Sequence, residues 1–327
     1  MKKIIFSTIF IFLALIVTFI VSPRPTAYII KQSFKQKIAR SPSNYEEYIN
    51  KVKIIKNQEY KSKYKENSYD VYIPKKLSEN EKIPAIIWVH GGAFVGGDKS
   101  DIEIYATILA AKGYAVFTIN YELAPSSKYP GPINQLSDFY KYFESINERY
   151  NVDSSKLFFA GDSAGAQIVG EFINKQTNTE YSISENTPQL VKKNNIKGVL
   201  LYCGPYNFEE IGQNSSFIQK FIFDQVGWAY FGEKLWRESK NAKTASVINN
   251  VSKDFPPVYI TDGNTGSFEK QGTALVEKMK LLNIDVTFRF FPLKEVETKH
   301  EFQFLLDTEP GVKVLNDTIY FLEKYNK

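Results

Sequence analysis

The pentapeptide Gly161-Asp162-Ser163-Ala164-Gly165 follows directly on the apolar run Leu157-Phe158-Phe159-Ala160, and it constrains the fold more than any other feature of the chain. A strand can turn into a helix this abruptly only where the residues flanking the turn carry almost no side chain. The strained turn then holds the serine hydroxyl out at the end of a sheet, the arrangement called a nucleophile elbow. Taken alone, the pattern is also compatible with a simple Gly/Ser loop.

A second element supplies the complementary half of one chemistry. The strand-like Pro84-Ala85-Ile86-Ile87-Trp88-Val89 runs into His90-Gly91-Gly92-Ala93-Phe94. Glycines there let main-chain N–H groups face a reacting oxygen. Acyl transfer places negative charge on that oxygen, and each preorganised donor is worth roughly 3–4 kcal/mol. The chain has two histidines, His90 in this loop and His300 in Thr298-Lys299-His300-Glu301-Phe302. His300 lies beyond the last strand-like segment, Val286 to Phe291. It is the expected general base for Ser163, in the order Ser then His along the chain.

These pieces, with Tyr121-Glu122-Leu123-Ala124-Pro125 and Pro256-Pro257 before a strand, resemble the hormone-sensitive-lipase-like branch of the α/β-hydrolase esterases over about residues 68 to 325. The resemblance implies an oxyanion hole from Gly91, Gly92, Ala93 and Ala164, with Gly91 shaping the turn, and a structural role for His90. It also implies a carboxylic ester substrate and no cofactor or metal. The third catalytic residue departs from the family pattern, because Gly266 occupies the position where the family carries its aspartate. Asp262, at the end of the strand-like Val258-Tyr259-Ile260, is favoured as the acid; Glu269, Glu209 and Glu210 are the alternatives. Two further functions stay open: a hydrolase fold that binds without catalysing, and a serine peptidase or amidase on the same fold.

Strand-like runs at Tyr69 to Ile73, Ala85 to Val89, Ala115 to Asn120, Leu157 to Ala160, Val199 to Cys203, Val258 to Thr261 and Val286 to Phe291 alternate with helix-like stretches. Such alternation predicts an α/β fold, a mostly parallel sheet covered on both faces. The stretch from 207 to 255 is expected to form a helical cap, with Phe217, Phe221, Phe223, Trp228, Tyr230, Phe231 and Trp236 available to line a pocket or pack the cap onto the body.

The first 22 residues read as a membrane anchor or signal segment, since Lys2 and Lys3 precede an apolar run from Ile4 to Val21. Residues 23–67 read as a basic membrane-proximal segment and 68–327 as the hydrolase domain. Arg24 to Lys65 holds 11 Lys/Arg against 3 Glu, while Glu66 to Lys327 holds 28 Lys/Arg against 33 Asp/Glu. The overall charge of +5 therefore belongs to the N-terminal part and is no argument for nucleic acid. The expected location is a membrane with the body extracytoplasmic, or secretion if the segment is cleaved. A single cysteine, Cys203, excludes an internal disulfide.

Overall fold

A computed structural model describes residues 17–34, 39–79, 81–213 and 216–327. Its centre is an eight-stranded sheet: β1 (Val52–Glu59), β2 (Ser68–Pro74), β3 (Ile83–Val89), β4 (Ala115–Ile119), β5 (Val152–Asp162), β6 (Ile196–Tyr202), β7 (Val258–Asp262) and β8 (Val286–Phe290). The spatial order is β1-β2-β4-β3-β5-β6-β7-β8. β2 runs antiparallel to both β1 and β4, and every other pairing is parallel. All seven expected strands are present.

The parallel centre explains why its strands read as unbroken apolar runs. β3 is buried along its whole length, with Ala85, Ile87 and Val89 facing one core and Ile86 and Trp88 facing the other. The first core is closed by α3 (Gly131–Ile146), α4 (Ala164–Thr177) and α6 (Glu269–Leu281), the second by α2 (Glu103–Ala111) and α7 (Glu309–Tyr325). The cap carries α5 (Phe217–Phe231) and the short helices Lys240–Ala245 and Val247–Asn250.

The segment expected to be a membrane-proximal spacer contributes to the folded body. β1 forms the sheet edge, with exposed Lys53, Lys56 and Asn57 interrupting the apolar Val52, Ile54 and Ile55. Its lysines suppress edge-to-edge pairing and also hide the strand from a reading by apolar pattern. Helix α1 (Arg24–Ser33) buries Thr26 and Ala27 and packs along α5 of the cap. The sheet thus begins at Val52, ahead of the boundary expected at residue 68. Of the apolar run Ile4 to Val21, residues up to 16 lie outside the described ones, and 17–21 are helical. Among the described residues no helix is long and apolar enough to cross a membrane.

Candidate active site

The elbow forms where β5 meets α4. Ser163 takes φ 49° and ψ −118°, a strained conformation for a residue with a side chain. The flanking glycines make the turn possible: a Cβ on Gly161 would lie 2.4 Å from the Gly165 carbonyl, and one on Gly165 only 2.0 Å from the Val89 oxygen. The Ser163 N–H donates to the Tyr202 carbonyl on β6 at 2.7 Å, which fixes the turn to the sheet. Ser163 Oγ then stands 2.9 Å from His300 Nε2, as the sequence requires of a nucleophile and its base.

The glycine loop after β3 is held from behind. His90 stacks on Tyr121 with ring centroids 4.5 Å apart, and the Tyr121 hydroxyl donates to the His90 carbonyl at 3.3 Å, so His90 supports the loop and does not reach Ser163. Gly92, Ala93 and Phe94 all take positive φ, 107°, 53° and 62°. Among the described residues the N–H groups of Gly92, Ala93 and Ala164 have no acceptor. Ala93 and Ala164 lie in the pocket wall beside Ser163, so their N–H groups remain available to a developing oxyanion. Gly91 differs from expectation: its N–H donates to Asp162 Oδ2 at 2.8 Å and is unavailable to a substrate.

Asp162 and Glu301, the neighbours of Ser163 and His300 in the chain, meet behind this loop. Both are buried and hydrogen-bonded to each other, and Asp162 Oδ1 also accepts from Trp88 Nε1 at 2.8 Å. Burial, together with the Asp162 charge, holds the Glu301 carboxyl far above the carboxylate range. Glu301 therefore stays protonated and donates to Asp162. Both carboxyls press against Gly91, where an added Cβ would lie 2.5 Å from Asp162 Oδ2 and 2.8 Å from Glu301 Oε1.

On the other side of His300 the structure departs from a direct triad. His300 Nδ1 is 2.7 Å from Ser267 Oγ, and Ser267 Oγ in turn donates to Asp262 Oδ1 in a very short bond. Asp262 also accepts the Phe268 N–H at 3.2 Å. A hydroxyl has one proton to give, so Ser267, donating to Asp262, must accept from His300 Nδ1–H. That leaves Nε2 unprotonated and facing Ser163, the tautomer a general base needs. The direct Asp262–His300 contact expected from the sequence is replaced by a serine bridge.

The bend that carries Ser267 is sewn to the His300 loop by Asn264. Its amide Nδ2 donates to the Phe291 and Val296 carbonyls at 2.9 and 2.8 Å, and its Oδ1 accepts from the Thr298 N–H at 3.0 Å. Gly266, in place of the family's aspartate, takes φ 62° and leaves open space where a side chain would stand. No hydrogen bond or ion pair among the described residues joins Glu269, Glu209 or Glu210 to His300. Glu269 opens α6, where a negative charge is favoured.

Burial dominates the titration of the site. It pushes Asp262 up to about 7, against the bonds from Ser267 and Phe268 that favour its charged form. It holds His300 down at about 4. Cys203 Sγ, an Asp262 oxygen and a His300 nitrogen lie within 4.8 Å of one another. As a cation site this set is poor, because Cys203 donates to Gln303 Oε1 at 3.3 Å, burial keeps its thiol protonated, and both His300 nitrogens are engaged by Ser267 and Ser163.

Ser163 and His300 open into a cavity of about 260 Å³. Cap residues Phe223, Tyr230 and Trp236 line it, whereas Phe217 points to solvent with 86% of its surface exposed. Ile30 and Phe34, from and just after α1, supply another wall. The sequence reading missed both because it took that segment for a spacer by its charge. The amphipathic spacing of Ala27, Ile30 and Phe34 is the signal that was present.

A family model described as BD-FAE matches residues 69–279. The chain belongs to the BD-FAE family. It is an α/β-hydrolase, in agreement with the resemblance read from the motifs. An acetyl esterase of Salmonella paratyphi B is 25% identical over 197 residues, covering 58% of this chain and 56% of the relative. The chain thus spans about half the length of the curated acetyl esterases it matches. Esterase B from Lactobacillus rhamnosis superposes with a TM-score of 0.76 at 18% identity, covering 96% of this chain and 95% of the other. A bacterial heroin esterase gives 0.69 at 16%, covering 85% and 86%. At these identities the structural likeness establishes the shared hydrolase fold.

Proposed function

We propose that this hydrolase cleaves carboxylic esters through an acyl-enzyme. The observation that carries the reading is Ser163 Oγ at 2.9 Å from His300 Nε2, on the floor of an apolar pocket whose wall presents the free N–H groups of Ala93 and Ala164. Ser163 Oγ attacks the ester carbonyl carbon while its proton passes to His300 Nε2. The carbonyl oxygen takes the negative charge and receives the N–H groups of Ala93 and Ala164, with Gly92 next to them in the loop. The imidazolium is stabilised through Ser267 by ionised Asp262. His300 then returns the proton to the departing alkoxide, and the alcohol leaves an acyl group on Ser163. A water, deprotonated by His300, attacks that acyl carbon and releases the acid and the free serine.

The acetyl esterase relatives and the apolar lining both favour an uncharged ester, with its acyl group in the pocket. The apolar run from Ile4 to Val21 supports attachment to a membrane, with the Lys2-Lys3 start favouring an extracytoplasmic body. The chemistry is tested by turnover of p-nitrophenyl acetate and butyrate and by labelling with a fluorophosphonate. Ser163→Ala should fold, lose turnover to near the uncatalysed rate and lose the label. Full turnover in that variant would reject the serine mechanism.

A further inference from the structure

The surface around the pocket is unusually apolar on one side. On α5, Phe217 and Ile218 are 86% and 70% exposed, and Phe221 and Ile222 follow one turn later, also exposed. The helical residues 17–21 reach the same helix: the Phe19 carbonyl accepts from Gln225 Nε2 of α5, and the Ile20 carbonyl accepts from Lys234 just beyond it. Val17, Ile20 and Val21 there, and Tyr28 and Ile29 on α1, are each more than half exposed. Isolated exposed apolar residues are ordinary, but this many gathered on two helices that pack together mark an interaction surface.

Two observations identify what covers it. The sequence ahead of residue 17 is apolar from Ile4 onwards, and residues 17–21, which follow it, bond to α5 and to Lys234 just beyond it. The group also continues inward, because Ile222 and Ile30 line the cavity that holds Ser163. We propose that this face of α5, α1 and residues 17–21 seats in the lipid bilayer to which the N-terminal segment is attached, so that the pocket receives esters from the membrane and not from bulk water. The inference rests on the ester-hydrolase reading for its substrate class and on the anchor for its placement. Exposed Arg24 and Lys31 on α1 would then sit at the depth of the lipid head groups.

The test uses the full chain in vesicles of phosphatidylcholine and phosphatidylglycerol, with the environment-sensitive fluorophore NBD on Phe217→Cys or, as a control, on Ile183→Cys. Native Cys203 is buried and does not compete for the label. Ile183 is 74% exposed but follows the far end of α4, about 20 Å from the elbow by helix rise. The expected result is quenching at position 217 by nitroxide lipids and protection there from aqueous iodide, with the reverse at 183. Iodide access at 217 without lipid quenching overturns the proposal. So does quenching by neither reagent, which would mean that a second copy covers the face, and so does protein that fails to sediment with the vesicles.

The same vesicles separate delivery from chemistry. Phe217→Asp with Ile218→Asp should lower turnover of a bilayer-resident long-chain ester at least tenfold and leave p-nitrophenyl acetate turnover unchanged. Equal loss on both substrates overturns the delivery role. Ser163→Ala should abolish both activities without altering the quenching, so failure of the hydrolase reading would be seen apart from failure of the docking.

Discussion

The serine bridge between Asp262 and His300 predicts a particular loss of rate when either end is removed. An Asp262 oxygen and a His300 nitrogen lie within 4.8 Å of each other. At an effective dielectric of about 20, opposite unit charges at that separation attract by about 3.5 kcal/mol, or 10²–10³-fold in rate if the attraction exists only once the imidazolium forms. Asp262→Asn should therefore lower kcat by 10²–10³-fold with little change in KM, less than the ~10⁴-fold seen when a directly bonded triad aspartate is neutralised. Ser267→Ala leaves His300 Nδ1–H without its acceptor, costing about 1–3 kcal/mol, and should lower kcat ~10- to 100-fold. Ser267→Thr keeps the hydroxyl and should keep most of the rate.

The pH profile distinguishes this relay from a merely structural bend. Ionised Asp262 is needed to favour the imidazolium, and its pKa of about 7 lies above that of His300 at about 4. kcat/KM for p-nitrophenyl acetate should thus rise with pH through about 7 in the wild type. In Asp262→Asn that limb should vanish, leaving a shallower one at lower pH. If Asp262→Asn and Ser267→Ala each kept more than half of kcat, or if the limb near pH 7 persisted in Asp262→Asn, the relay would be refuted.

Three other outcomes follow from the structure. Because folded Asp262 holds a proton that the unfolded chain releases near its ordinary pKa of 3.8, stability is greatest below that pH and falls as pH rises through about 7. Asp262→Asn should therefore gain in melting temperature over the wild type at pH 8 and lose that advantage by pH 4; a constant difference in calorimetry would contradict the assigned burial. Gly165→Ala forces a Cβ to 2.0 Å from the Val89 oxygen and should abolish soluble expression or unfold the elbow, so a native circular-dichroism melt with full turnover would count against the turn geometry. Phe34→Ala removes part of the pocket wall and should raise KM for p-nitrophenyl butyrate more than for the acetate, whereas equal effects would place the acyl group elsewhere.

Legibility in the sequence followed how local each feature is. The elbow, the glycine loop and the central strands are written in consecutive residues, and they lie where the spacing placed them. Asp262 was readable as a strand-end carboxylate, but its link to His300 depends on the bend from 263 to 267, which Asn264 ties to carbonyls of a loop some thirty residues further on. No pattern within that bend distinguishes Ser267 from an ordinary turn residue. Gly91 was expected to shape the turn and was grouped with the oxyanion hole, but a sequence does not show where a glycine's N–H points; Asp162 settles that in three dimensions. β1 and α1 were masked by their charge, since an edge strand with outward lysines and a half-buried helix both resemble a solvated spacer.

The protonated contact between Asp162 and Glu301 turns two sequence-distant positions into one structural unit. Ser163 and His300 sit on separate loops, yet the residue before one and the residue after the other share a single hydrogen behind them. A change at either position alone leaves the remaining carboxyl buried without its partner, and deprotonating the pair puts two like charges against the same glycine. An apolar substitution at either position alone should therefore destabilise the fold, whereas Glu301→Gln keeps an N–H that can donate to Asp162. The contact thus joins positions 139 residues apart in the chain, the difference between 301 and 162. The spacing of Ser163 and His300 is held by a joint whose two residues lie outside the cavity wall.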